Sequence, residues 1–267
     1  MNAPVSEPIL LAERKGAVLR LTLNRPEARN ALSSTLMRLM LDALEHSETD
    51  DSLRAIVIAA SGPVFCAGHD LKEMSARRAE RGHGRESFAT LFTQCARLMQ
   101  AIIHHPRPVI AEVQGTATAA GCQLVASCDL AVAASTATFA TPGVQIGLFC
   151  STPMVALTRN MPRKKAMEML LTGDAVDAAE AARLGLVNKV VAPETLTQET
   201  MALAQKIADK PDVTVRTGKH AFYEQIEMPL DSAYTYAARI MTENMMDEEA
   251  KEGVAAFLEK RPPHWPG

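Results

Sequence analysis

The chain lacks an imbalance of charge: 28 lysines and arginines stand against 31 aspartates and glutamates in 267 residues, a net charge of −3. Nucleic acid and anionic membrane surfaces are therefore not expected partners, because both are gripped mainly by concentrated positive charge. Long hydrophobic runs are missing too; none approaches the ~20 residues that cross a bilayer. Cysteine is sparse. Cys66, Cys95, Cys122, Cys128 and Cys150 form an odd set without CxxC spacing, which predicts reduced, structural thiols in a reducing compartment. No grouping has metal-ligand spacing, and neither a Walker loop nor a dinucleotide fingerprint is present. The N-terminal residues form no signal-peptide core, and Glu7 and Glu13 argue against an Arg-rich transit peptide. A cytoplasmic protein is the expectation.

What is present is ordinary in bulk: 47% hydrophobic and 22% charged residues, enough for one large domain or a domain with a helical appendage. Residues 17–23 alternate apolar and polar as a half-buried strand does, and Asn24-Arg25-Pro26 breaks them. Leu32, Leu36, Leu39, Met40 and Leu44 recur at helical spacing over 31–45, with Ser33 and Ser34 near the start. Residues 53–60 and 109–113 read as buried strands. Further strands are expected at 130–134, 138–140 and 186–191. The charged stretch 72–86 reads as a mobile flap, followed by a helix over 87–104. A short helix is predicted over 120–127, and another with Thr152 as N-cap and Pro153 at its first position. Past Pro193 the pattern is helical over 194–209, 212–226, 229–246 and 247–259. Strand–helix alternation followed by a helical tail predicts an α/β core over 1–195 and a helical region over 196–267.

Two short segments carry the chemistry. Phe65-Cys66-Ala67-Gly68-His69-Asp70-Leu71 and Ala119-Ala120-Gly121-Cys122-Gln123-Leu124 read as sites where backbone N–H groups approach one carbonyl oxygen. A thioester becomes reactive at its α and β carbons when that oxygen can accept negative charge. Each rigidly held donor aimed at it is worth on the order of 3 kcal/mol of barrier. Small residues allow close approach, and a helix start at Ala120 would add its partial positive charge. Either segment alone reads more readily as a tight turn or a helix-packing contact.

These segments occur between Leu23-Asn24-Arg25-Pro26-Glu27-Ala28-Arg29-Asn30-Ala31-Leu32 upstream and Cys128-Asp129-Leu130-Ala131, Phe139-Ala140-Thr141-Pro142, Leu171-Thr172-Gly173, Ala182-Arg183-Leu184-Gly185-Leu186-Val187 and Phe257-Leu258-Glu259-Lys260-Arg261 downstream. In that order the chain resembles the crotonase (enoyl-CoA hydratase/isomerase) superfamily over nearly its whole length. The run Pro142-Gly143-Val144-Gln145-Ile146-Gly147-Leu148-Phe149-Cys150-Ser151-Thr152-Pro153 is similar to one branch in particular. The resemblance implies an α/β spiral of ββα units with an α-helical C-terminal trimerisation region, and a homotrimer or a hexamer of two trimers. It implies an acyl-CoA thioester as partner, with coenzyme A arriving as part of the substrate and no separate cofactor. The oxyanion donors would be the backbone N–H groups of His69 and Ala120. Coenzyme A would lie along Arg25, Ala28 and Arg29, the Ala67 carbonyl, and His69, Asp70 and Leu71. Lys260 would reach the nucleotide of its own or a neighbouring subunit. Many relatives carry Lys where Glu27 stands, so Arg25 or Arg29 would supply that charge.

The two glutamates that hydratases of this family use fall at Gln123 and Gly143. Gln cannot exchange a proton at neutral pH, and Gly has no side chain. A positioned acid or base contributes ~10²–10⁴ in rate, so classical hydration is expected to be weak or absent. Restoring Glu at both positions should restore it unless pocket shape intervenes. Replacements stay open. Ser151 could stand near an acidic position of related isomerases or cap a helix. Cys150 could be a nucleophile or an inert thiol. His69 could carry protons or serve structurally, Asp70 could brace the loop, and Gln123 could hold a water or be a satisfied buried amide. Three functions remain: an enzyme acting through a thioester enolate, a CoA-thioester binding protein that lost the chemistry, and, with less support, a protein whose C-terminal helices serve mainly as an assembly surface for others.

Overall fold

The computed structural model describes residues 7–79 and 84–265. Ten strands and eleven α-helices among these residues alternate for most of the chain and end in helices. The strands are β1 Leu10–Lys15, β2 Val18–Leu23, β3 Ala55–Ala60, β4 Val64–Cys66, β5 Val109–Val113, β6 Thr116–Thr118, β7 Leu130–Ala134, β8 Thr138–Ala140, β9 Val176–Asp177 and β10 Lys189–Val191. The helices are α1 Ser34–Glu48, α2 Leu71–Ala79, α3 Gly84–His104, α4 Ala120–Ser127, α5 Ser151–Asn160, α6 Arg163–Thr172, α7 Ala178–Arg183, α8 Leu196–Ala208, α9 Asp212–Gln225, α10 Leu230–Met246 and α11 Glu248–Glu259.

Two sheets share these strands. The larger runs β1-β2-β3-β5-β7-β10 and the smaller β4-β6-β8-β9. The successive pairs β3/β4, β5/β6 and β7/β8 each place one strand in each sheet. All neighbours are parallel except β1 with β2 and β8 with β9. Parallel neighbours need long crossovers, and the intervening helices supply them. The result is the expected spiral of strand–strand–helix turns.

The apolar run of β3 is buried on both faces, as a central parallel strand requires. Ile56 and Ile58 join Leu36, Met40, Leu98 and Leu124 in the main core. Ala55 and Val57 face the other way, toward Val18, Ile110 and Ala204 of α8. Since α8 covers that face, the change at 195/196 is one of secondary structure and not a gap in packing. Asp129 tethers α9: it accepts from Lys219 Nζ at 2.7 Å and from Tyr223 Oη at 2.9 Å. Beyond it, α10 and α11 leave Tyr234, Met241, Met246 and Phe257 well exposed.

Three expectations change. Strand β1 has an almost wholly exposed pattern, so burial periodicity gave no sign of it; pairing to β2 makes it a strand. The stretch read as a flap is largely helical, α2 and the start of α3, with 80–83 outside the described residues. Asp70 caps α2 by accepting from the N–H groups of Lys72 and Glu73 at 3.1 and 3.2 Å. Glu73 then ties it to α1 through the Ser34 N–H and hydroxyl at 2.9 and 2.6 Å. Finally, α5 begins at Ser151 with Cys150 at the N-cap, so Thr152 is not the cap. Proline lacks an N–H and is tolerated anywhere in a first turn, where those groups have no helical acceptor.

Candidate active site

Two backbone N–H groups lack an acceptor among the described residues, for separate reasons. The segment after β4 bends at Gly68, with φ 92°, and then makes an isolated parallel bridge between Leu32 and His69. Leu32 N–H donates to the Gly68 carbonyl at 2.7 Å, and Asp70 N–H donates to the Leu32 carbonyl at 3.3 Å. Successive groups of an extended chain face opposite ways, so the His69 N–H points away from that bridge. Among the described residues it donates to no acceptor. The second amide belongs to Ala120, the first residue of α4, whose N–H has no partner within the helix. It too donates to nothing among the described residues.

The two amides are brought together by backbone contact. A Cβ built on Gly68 would lie 3.3 Å from Ala120 N and 3.1 Å from the Thr118 carbonyl. One built on Gly121 would lie 2.1 Å from the Cys66 carbonyl oxygen, so only glycine lets α4 start against β4. Ala119, between the two amide-bearing elements, has φ 49° and ψ −118°, a conformation that costs a non-glycine residue about 1–3 kcal/mol. Strain of this size concentrated at one donor is characteristic of a site held for function. Asn30 fixes the other wall. Its buried side chain accepts from Arg25 N–H at 2.8 Å and donates to the Ser61 and Val64 carbonyls at 2.8 and 2.7 Å.

The position of the second missing glutamate is closed. A Cβ on Gly143 would lie 2.4 Å from the Leu148 carbonyl oxygen and 2.8 Å from Cys150 Sγ. The 3₁₀ turn Pro142–Ile146 folds back so tightly that Leu148 N–H donates to the Gly143 carbonyl at 2.8 Å. A side chain at 143 therefore fits only if the backbone of this turn shifts, which is the shape condition set on restored hydration. Gln123 is buried on α4. Cys95 Sγ lies 3.9 Å from its Oε1, and its amide nitrogen has no partner among the described residues.

The imidazole and the thiols nearby are pushed toward their neutral forms. Burial lowers the His69 imidazole below its ordinary value, although the Leu32 carbonyl and Glu73 pull the other way. Both ring nitrogens are buried without partners, and the ring meets Phe92 edge-on at 5.4 Å. Burial raises the Cys150 thiol and pushes Cys66, Cys95 and Cys122 up to about 12. Thiolates are therefore not available at neutral pH, and the nucleophile reading of Cys150 is set aside. Ser151 is exposed, and its hydroxyl reaches only the Phe149 carbonyl at 3.4 Å. Among the described residues it has no base to activate it, and it does not cap α5.

The coenzyme-A candidates divide. Ala67 leaves its carbonyl without a donor among the described residues, while its N–H donates to the Arg29 carbonyl at 3.1 Å. Arg29 is exposed, in the left-handed conformation; Ala28 beside it is half-buried, and Leu71 is exposed. Arg25 is committed elsewhere: it pairs with Asp70 at 3.2 Å and reaches the Ala31 carbonyl. Lys260 ends α11 in the left-handed conformation, exposed and without a side-chain partner among the described residues. Two cavities matter. One of about 290 Å³ lies between α2, Phe88 and residues 146–148, beside His69 and the Gly143 turn. The other, about 350 Å³, lies around Lys219 and His220 between α9 and the end of α3, away from the paired amides. Sequence spacing did not single out Phe92 or the hydrogen bonds of Asn30; only the phenylalanines Phe88 and Phe92, spaced four apart, hinted at a shared helix face.

These features place the protein among folds that pair two peptide amides at a sheet-to-helix junction. The enoyl-CoA hydratase/isomerase family pattern matches residues 13–267, and the chain belongs to that family. It is 46% identical over 261 residues to the mitochondrial enoyl-CoA hydratase domain-containing protein 3 of Mus musculus, covering 97% of this chain and 85% of the relative. The crystal structure of an enoyl-CoA hydratase from Mycobacterium smegmatis superposes with a TM-score of 0.93 at 55% identity, over 97% of this chain and 99% of that one. The human enoyl Coenzyme A hydratase domain-containing protein 3 superposes with a TM-score of 0.92 at 44% identity, over 97% and 100%. The cytoplasmic expectation is corrected by the same comparison, since the mouse relative is mitochondrial by name. A leader is an address removed from the mature protein, so the composition of the folded domain does not record its compartment.

Proposed function

We propose that the protein binds an acyl-CoA thioester and polarises its carbonyl between the His69 and Ala120 N–H groups, stabilising an enolate. Classical enoyl-CoA hydration is weak or absent. The observation that carries this reading is the pair of N–H groups without acceptors, held near each other at the cost of a strained Ala119. Polarisation of this kind needs no titratable side chain, whereas hydration needs a proton acceptor that neither Gln123 nor the closed Gly143 turn supplies. Coenzyme A would run past the Ala67 carbonyl and Arg29, with Lys260 at the nucleotide. Arg25 and Asp70 would shape the loop. The exposed apolar face of α10 and α11 supports a homotrimer or a hexamer; a monomeric mass by light scattering at micromolar concentration would refute it.

The neutral His69 and raised Cys150 thiol favour a second reading, a CoA-thioester binding or regulatory protein without turnover. A panel of saturated and unsaturated acyl-CoA thioesters, assayed for binding by calorimetry and conversion by mass spectrometry, separates the two. Binding with conversion supports the enzyme. Binding with no conversion supports the second reading. Crotonyl-CoA hydrated as fast as by an ordinary hydratase would overturn the first.

A further inference from the structure

The cavity of about 290 Å³ beside the paired amides is lined chiefly by Leu71, Met74, Phe88, Ile146 and Leu148. Leu71, Ile146 and Leu148 are 55%, 59% and 40% exposed, so apolar surface lies open there, as it does where a ligand completes the packing. Two of its lining residues lie close to the amide-bearing segments and the Gly143 turn. Leu71 follows His69 by two residues, and the Leu148 carbonyl forms the wall at Gly143. Aromatic rings extend the same path: His69 meets Phe92 at 5.4 Å, and Phe92 stacks on Phe88 at 6.3 Å.

One charged side chain lines this cavity, Arg78, held with its guanidinium 5.8 Å from the Phe88 ring centroid. Its neighbour Arg77 is committed to Glu73 and Ser87. Arg78 meets no carboxylate among the described residues, and Ser75, one turn earlier, adds a hydroxyl to the same lining. Arg78 is exposed, so a purely apolar acyl chain reaching this end would displace water from the guanidinium without offering it an acceptor. A chain ending in a carboxylate would fill the apolar stretch and pair with the fork of donors.

Building on the thioester reading, we propose that the site prefers acyl-CoA thioesters whose acyl chain carries a terminal carboxylate, with Arg78 as the residue that selects it.

The test compares adipoyl-CoA with hexanoyl-CoA, which share six acyl carbons and differ at the chain end, by titration calorimetry on the intact protein. Free CoA serves as a reference. An exposed ion pair of about 1 kcal/mol predicts about fivefold tighter binding of adipoyl-CoA. Arg78→Gln should erase that difference and leave free CoA unchanged; Arg78→Lys should retain part of it. Equal or tighter binding of hexanoyl-CoA by the native protein overturns the proposal. So does an Arg78→Gln loss shared equally by free CoA, which would assign the guanidinium to the nucleotide. If neither thioester nor CoA binds, the thioester reading itself falls, and the proposal with it.

Discussion

The Gly68–Gly121 junction and the Gly143–Cys150 turn flank the same cleft, yet they have been treated oppositely. At the junction, glycine keeps backbone close to backbone, and the contact leaves two amides free. At the turn, glycine also permits close approach, but the contact fills the space a catalytic side chain would need. The first region holds strain at Ala119 to keep a binding geometry open; the second relaxes into a compact 3₁₀ turn. A turn this tight leaves no void for a side chain at 143, which makes a single substitution there hard to accommodate.

The comparison can be broken most decisively at Gly121. Gly121→Val forces α4 away from the Cys66 carbonyl and should destabilise the protein by about 3 kcal/mol, with loss of CoA-thioester binding. Unchanged thermal unfolding and unchanged affinity would show that the junction is not tightly packed. At the turn, Gly143→Glu should cost about 2 kcal/mol by overpacking. Combined with Gln123→Glu, it should still fail to hydrate crotonyl-CoA, followed by loss of the enoyl absorbance. Strong hydration by a double variant of native stability would show the turn to be open. In the opposite direction, Ala119→Gly should stabilise by about 1 kcal/mol, because relief of the positive φ exceeds the entropy glycine adds to the unfolded chain; chemical denaturation reads this. The smallest effect is a predicted flat line. His69 is shifted down from the ordinary histidine value and Cys150 up from that of a thiol. The imidazole therefore stays neutral and the thiol protonated from about pH 7 to about pH 8.5, and thioester affinity should not change across that window. An inflection there would reveal a titrating group in the cleft.

Buried His105 sharpens the contrast through stability. Burial pushes it down to about 4, and its ring nitrogens are occupied by Ser47 and Arg107 N–H at 3.0 Å each. Below about pH 6.5 the unfolded chain takes up a proton that the folded one refuses until near 4. Stability therefore falls as pH drops through that interval, by about 3 kcal/mol in all. His105→Gln should flatten this dependence in melts, whereas His69→Gln should flatten it less, since His69 is only partly buried.

Much of the fold was legible because strong patterns have local causes. The buried run of β3 and the spaced leucines of α1 stand where periodicity put them. Strand β1 and helix α2 were not legible, because exposed or charged residues carry little periodic signal and both elements depend on partners, β2 in one case and Asp70 with Ser34 in the other. In the cleft, the two amide-bearing segments could be read from small residues and motif order. The commitment of Arg25 to Asp70, and the idleness of Ser151, could not.

The sequence alone determined which groups exist: two glycine segments able to present amides, and the lack of a titratable side chain at Gln123 and Gly143. Only the tertiary structure decided what surrounds them. The packing of Gly121 on the Cys66 carbonyl, the Leu32–His69 bridge and the place of Arg78 opposite residues 146–148 arise from segments far apart in the chain. Contacts of that kind depend on how sheets and helices pack in space, which no local spacing encodes.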